Sequence, residues 1–91
     1  MEIFTSTFTT SQGEKIPYII EIGWEHIYII YDRGEGRREQ EVKAITDEFG
    51  GFTWKLNKRS IKYQSPAQLL RTFTDFDATA SATFRHFTGI S

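Results

Sequence analysis

The two histidines are the side chains best suited to acid–base or metal chemistry, but their spacing supports neither role. His26 and His86 lie outside the HxxxH and HExxH patterns that place two imidazoles on one metal ion. Asp75 and Asp77 are the only carboxylates in residues 50–91, and on a helix their side chains would diverge by about 200°. Two carboxylates so arranged cannot share a proton or a metal, so we predict no catalytic residue and no metal site.

Nucleophile and phosphate motifs are missing as well. Ser65 belongs to no GxSxG elbow. The glycines of residues 33–38 (RGEGRR) lack the third glycine of a dinucleotide loop and the GK[ST] of a P-loop. The 91 residues include no cysteine, which excludes thiolate catalysis, disulfides and cysteine-ligated metals. We therefore expect a non-enzymatic protein without a cofactor, in a reducing compartment such as the cytoplasm.

Cations and aromatic residues concentrate in residues 52–64 (FTWKLNKRSIKYQ). The cations of this stretch are Lys55, Lys58, Arg59 and Lys62. Mixed with Trp54 and Tyr63, they resemble the sets that single-strand binders use for phosphate neutralisation and base stacking. In a strand, however, the two aromatic rings would face away from Lys55 and Lys62. A sequence pI near 6.1 argues against a dedicated nucleic-acid binder. Nucleic-acid binding through this stretch is therefore the alternative function and not the first one.

Charge is divided unevenly along the chain. The formal net charge is −1, but residues 1–49 carry ten acidic and five basic side chains, whereas residues 50–91 carry two acidic and six basic ones. A basic half is typical of a face for nucleic acid or an acidic partner. Complementary charges on a sheet and its covering helix would produce the same split.

A protein partner is the prediction that the sequence favours. Trp24 lies in a predicted turn, where it either folds back onto the sheet or serves as an interface anchor. Residues 39–48 are acidic and suit a basic partner. We predict Trp24, Glu25, Glu39 and Glu41 as protein-contacting residues. The expected function is that of an adaptor or inhibitor that occludes a partner surface, as in phage- or plasmid-type accessory proteins.

The elements that position these residues are organised around residues 16–32 (IPYIIEIGWEHIYIIYD), which predict a β-hairpin. Gly23 suits a two-residue type II′ loop, which would place Ile20 opposite Ile27 and Tyr18 opposite Ile29. Both faces of this hairpin carry large apolar groups, so we expect it in the middle of a sheet that is covered on one face and partly covered on the other.

The first strand is predicted over residues 2–10. Phe4 and Phe8 would lie on one face and the threonines on the other, and a free edge there would permit self-association. Residues 38–49 are ambiguous. As a strand they would extend a hairpin from Tyr31, with DEFGG as the next turn, but the poor alternation of apolar side chains favours a helix that Gly50 would end. Residues 52–64 predict a second hairpin.

The C-terminal third predicts helix. Ser65 and Pro66 form a strong helix start, and Gly89 a stop. The apolar stripe between them is Leu69, Phe73, Phe76, Ala80, Phe84 and Phe87. Residues 75–77 could divide this region into two helices, with Asp77 as the cap of the second.

We therefore predict a single α+β domain over residues 1–91. Its antiparallel sheet would have about five strands, made of two central hairpins and the N-terminal strand, packed by a C-terminal helix or helix pair, with an additional helix possible at 38–49. No signal peptide is recognisable, and no segment approaches the ~18 apolar residues of a membrane span. A cytoplasmic location without membrane partners is the expectation.

Overall fold

The computed structural model describes residues 1–91 and confirms an α+β fold made of antiparallel strands and C-terminal helices. The strands are β1 (Glu2–Thr9), β2 (Lys15–Ile22), β3 (His26–Asp32), β4 (Arg37–Lys43), β5 (Ile45–Thr46), β6 (Phe52–Leu56) and β7 (Arg59–Tyr63). The helices are α1 (Pro66–Asp75) and α2 (Asp77–Thr88). Neither helix has the length and apolar character needed to cross a membrane.

The strands form two sheets, whereas the sequence predicted one. The first sheet has the order β1-β2-β3-β4 and the second has the order β5-β6-β7. Ala44, the single residue between β4 and β5, marks the crossing from one sheet to the other. Its N–H donates a 2.7 Å hydrogen bond to the carbonyl of Glu25, which extends the pairing of β3 and β4 by one residue before β5 begins.

The expected helix at 38–49 is wrong, because this segment forms β4, β5 and a tight turn. β4 pairs with β3 along its whole length, which satisfies the backbone groups on the β3 side of the strand, and Val42 is buried. Asp47 then closes the turn, since its carboxylate accepts hydrogen bonds from the N–H groups of Phe49 and Gly51 at 2.8 Å each. Gly50, with φ +81°, serves this turn and ends no helix.

The central hairpin forms as predicted, but its register is shifted by two residues. Ile20 lies opposite Ile29, and Ile22 lies opposite Ile27. The two-residue II′ loop is therefore wrong: the connection is longer, and it is closed by a 2.8 Å hydrogen bond from the Gly23 N–H to the His26 carbonyl. A shift of two leaves every side chain on its predicted face, because strand side chains alternate with a period of two.

The core lies between the inner face of the first sheet and the two helices. Phe73 of α1 packs against Phe4 with ring centroids 5.5 Å apart, while Phe84 of α2 packs against Phe8 and Tyr18 at 4.6 and 4.8 Å. Phe73 and Phe84 are fully buried. The predicted alternation of β1 is thereby confirmed, since Phe4 and Phe8 face the helices.

The helix boundaries follow the predicted signals with one difference. The Ser65 hydroxyl caps α1 by accepting the N–H of Gln68 at 3.2 Å, and Gly89 ends α2 in the left-handed conformation. The chain breaks between the helices at Phe76, which is 65% exposed and does not join the buried stripe. Asp77 is the first residue of α2, not its cap, and its carboxylate accepts a hydrogen bond from the Ser6 hydroxyl at 3.3 Å.

Candidate protein-binding face

The first sheet has a second face that no other element covers. Both helices pack on the opposite side, against Phe4, Phe8 and Tyr18. We use the name outer face for the uncovered side of β1–β4, on which the odd-numbered residues of β1, β2 and β4 and the even-numbered residues of β3 lie.

The middle of the outer face is apolar. One row across the sheet contains Thr5, Ile19, Ile30 and Glu39, because each of these residues pairs with the next. Ile19 is 38% exposed, and Ile3, two residues before Thr5 in β1 and on the same face, is 55% exposed. A shallow groove of about 420 Å³ runs along this row; its lining includes Thr5, Pro17, Ile19, Ile30, Asp32 and Arg37. Ile19 on the interior strand β2 and Ile3 on the edge strand β1 are suited to contact with another apolar surface, whereas Ile30, next to Ile19 in its row, is only 9% exposed.

Carboxylates border the apolar row on one side. The neighbouring row contains Ile3, Glu21, Tyr28 and Glu41. The negative charge of Glu41 raises the pKa of the exposed Tyr28 phenol above its ordinary value, with smaller contributions from Glu39 and Glu21. Three carboxylates therefore lie around Tyr28 on this side of the outer face, one of which, Glu39, is 3.8 Å from the guanidinium of Arg37; we use the name acidic border for Glu21, Glu39 and Glu41.

His26 lies at the same acidic border. Its ring stacks on that of Tyr28 with centroids 6.3 Å apart and planes 9° from parallel. The His26 Nδ1 is 3.3 Å from Glu41 Oε1, close enough for an ion pair when the imidazole is protonated, but the two groups are not aligned as a hydrogen bond. Across the β2–β3 pair, Glu21 lies opposite Tyr28.

The four residues predicted to contact a protein separate into two places. Glu39 and Glu41 lie on the outer face, on a strand instead of the expected helix. Trp24 and Glu25 lie in the loop between β2 and β3. The indole of Trp24 is 61% exposed and its centroid is 6.1 Å from that of Phe52, while its carbonyl accepts a hydrogen bond from the Tyr63 hydroxyl at 3.2 Å. The backbone of this loop is fixed, and most of the ring is open to solvent.

Sequence reasoning missed the apolar centre of the outer face, namely Ile3, Ile19, Tyr28 and Ile30. The signal was present in residues 16–32, where both faces of the hairpin are apolar. The chain has two helices to cover this sheet, and both pack on the same side. The second apolar face of this hairpin is therefore left without a second cover in the chain.

The cations predicted for nucleic-acid binding form a separate surface on the second sheet. We use the name basic hairpin for Lys55, Lys58, Arg59 and Lys62, which are all exposed. No carboxylate lies within 4.0 Å of their charged groups. Trp54 and Tyr63 are 4% and 2% exposed, because they face the core as the period of two predicts. The basic hairpin therefore offers charge without a stacking platform.

The residues considered for catalysis are not assembled into a site. His86 is exposed and lies edge-on to Phe87, with ring centroids 4.7 Å apart. No group of three or more His, Cys, Asp or Glu residues could hold a metal ion. A polar cleft of about 470 Å³ contains Glu14 and Arg33, but these residues pair with each other at 2.6 Å, and this pairing lowers the pKa of Glu14. Their charges are thus neutralised within the cleft.

Comparison with known proteins gave no further evidence on function. No family model, no curated protein and no solved structure matches this chain.

Proposed function

We propose that this protein is a non-enzymatic protein-binding module that uses the outer face to occlude a surface of a partner protein. The supporting observation is the exposure of Ile3 and Ile19 in a regular, uncovered sheet. When a partner removes such apolar groups from water, the complex is stabilised by about 25 cal/mol per Å² of apolar surface buried. A flat face without an enclosed cavity suits an adaptor or an inhibitor that acts by covering its target.

The chemistry of the face defines the partner. Its apolar centre requires an apolar contact surface, and the carboxylates of Glu21, Glu39 and Glu41 require Lys or Arg beside that surface. We therefore infer a partner with a basic rim around an apolar patch. The exposed Trp24, at the end of the β2–β3 pair, would extend the contact as an aromatic anchor. A cytoplasmic location agrees with the cysteine-free sequence.

Charge reversal on the outer face tests this function. Tagged wild-type protein and the double variant Glu39→Lys/Glu41→Lys are used to capture proteins from native lysate, with and without nuclease. We expect the wild-type protein to capture a partner protein in stoichiometric amount, with or without nuclease. The variant should not capture it, because the two new lysines would repel the basic rim of the partner. The purified pair should bind more weakly as salt rises from 50 to 500 mM, since screening weakens exposed charge pairs.

The matched control reverses charge on the other sheet. Lys58→Glu/Arg59→Glu changes the same number of charges on the basic hairpin and should leave the capture unchanged. Capture that is insensitive to the outer-face change but is lost with the hairpin change would contradict the proposal. Circular dichroism of both variants shows whether the fold is retained.

Nucleic-acid binding is a second candidate function, favoured by the four cations of the basic hairpin that lack carboxylate partners. Retention of the protein on heparin or on a single-stranded oligonucleotide should then decrease with salt. If all four cations contact phosphates, the slope of log K against log salt is about −3. Lys58→Glu/Arg59→Glu should abolish the retention, and retention that persists in this variant would eliminate the candidate.

A further inference from the structure

The outer edge of β1 is open along its whole length. All eight residues of β1 pair with β2 in one unbroken antiparallel register, from Glu2 opposite Ile22 to Thr9 opposite Lys15. On its other side β1 has no strand neighbour. None of the backbone hydrogen bonds outside the helices and strands involves residues 2–9. One row of backbone donors and acceptors therefore remains without a partner in the chain.

The hydrogen-bond pattern of the hairpin identifies the residues in that row. The Thr10 N–H donates to the Glu14 carbonyl at 2.8 Å, which makes Thr10 and Glu14 a hydrogen-bonded pair. Because such pairs alternate along an antiparallel ladder, the even-numbered residues of β1 bond to β2. The odd-numbered residues, Ile3, Thr5, Thr7 and Thr9, therefore direct their N–H and C=O groups toward the free edge.

The two edges of this sheet differ in chemistry. β4, the opposite edge, carries five charged side chains among its seven residues, which protects an edge against pairing with another chain. β1 has the sequence EIFTSTFT, with one charge at its first position and with no Pro, Gly, Lys or bulge. The usual protection of an edge strand is present at β4 and missing at β1.

We infer that β1 pairs with β1 of a second copy of the chain, antiparallel and across a two-fold axis at Thr5. This arrangement joins the two sheets into one of eight strands through about six main-chain hydrogen bonds. Thr5 faces Thr5 and Ile3 faces Thr7, so β-branched side chains meet on the outer face. The inference does not depend on the proposed function, because a dimer forms or fails to form without any other partner.

Charge selects this register over its neighbour. With the axis at Thr5, Glu2 of each copy lies opposite Phe8 of the other. The guanidinium of Arg85 is 5.5 Å from the Phe8 ring centroid, so the dimer brings Glu2 and Arg85 together twice. With the axis at Ser6, the two Asp77 carboxylates, each bonded to Ser6 at 3.3 Å, would approach one another. Like charges disfavour that second arrangement.

Sedimentation equilibrium over a range of protein concentrations tests the inference. The wild-type mass should rise with concentration from 10.6 kDa toward twice that value. Thr5→Pro should hold the mass at 10.6 kDa and keep the fold, because the N–H that it removes points away from β2. Thr5→Lys should act in the same way through repulsion at the edge, so the test does not depend on the proline variant alone. Gln40→Lys, on the β4 edge, is the matched control and should leave the dimer unchanged.

A charge exchange tests the register itself. Glu2→Arg and Arg85→Glu should each weaken the dimer, and the double variant should restore it, since the two pairs are then formed with reversed signs. A wild-type chain that remains monomeric at the highest attainable concentration would overturn the inference and leave β1 as an edge for a foreign strand. A dimer that persists in both Thr5 variants, or a double variant that fails to restore it, would also overturn it.

Discussion

At the scale of single residues, Tyr63 joins the second sheet to the β2–β3 loop. Its hydroxyl donates a hydrogen bond to the Trp24 carbonyl at 3.2 Å, and its side chain is 2% exposed. Burial, and secondarily the charge of Glu25, raises the pKa of Tyr63 to about 12. The fold therefore holds this phenol in its neutral form, which is the form that can donate.

This raised pKa predicts sensitivity to alkaline pH. A group whose pKa is raised by folding contributes stability that is complete below its ordinary pKa of 10 and is lost as the pH rises through about 12. In urea unfolding from pH 8 to 11, the wild-type free energy of unfolding should fall more steeply than that of Tyr63→Phe. Tyr18 and Tyr28 also have raised pKa values and leave a residual slope in the variant.

The control for this prediction is the comparison at pH 8. There the phenylalanine variant should be less stable by about 1 kcal/mol, the net contribution of one hydrogen bond. Equal slopes for the two proteins between pH 9 and 11 would mean that Tyr63 ionises as freely in the folded chain as in the unfolded one.

At the scale of elements, α1 depends on a local start signal. Ser65 is in the extended conformation, its side chain accepts the Gln68 N–H, and Pro66 follows as the first helical residue. Leu69 and Phe73 then bury the inner side of the helix completely. The cap and the buried side together explain why the helix begins at this residue.

Removal of the cap should therefore reduce global stability. Ser65→Ala should lower the free energy of unfolding by about 1 kcal/mol, because one N–H of the first turn loses its partner. Ser60→Ala, on the exposed part of β7, is the matched control and should change it by less than about 0.5 kcal/mol. Chemical denaturation measures both variants. A loss of equal size in the two would show that the hydroxyl of Ser65 has no specific capping role.

At the scale of the whole molecule, the two surfaces considered for binding lie on different sheets. The acidic border of the outer face is on the first sheet and the basic hairpin is on the second. The open β1 edge adjoins the outer face, since Ile3 and Thr5 belong to both. A dimer through β1 would therefore join two outer faces into one surface and leave both basic hairpins free. The charge reversals and the β1 variants change different residues, so their effects can be separated.

The sequence determined the features of this protein that depend on neighbouring residues. The alternation of β1, the hairpin of residues 52–64 with Trp54 and Tyr63 turned inward, and the helix signals Ser65 and Gly89 all follow from local periodicity or capping. Even the two-residue error in the central register left the faces correct, because that shift equals the side-chain period of a strand.

Only the tertiary structure decided the features that depend on which elements meet. Residues 38–43 have weak alternation and only Val42 is buried in β4, so no local pattern identifies them as a strand. The strand forms because β3 offers it a partner along its full length. The outer face has the same origin: its residues alternate with those that face the core, and Ile3 and Ile19 stay exposed because both helices pack on the other side. Backbone pairing and coverage between distant segments are properties of the assembled chain. For this reason the sequence indicated a second apolar face in residues 16–32 and singled out Glu39 and Glu41, but did not show that they share one uncovered face.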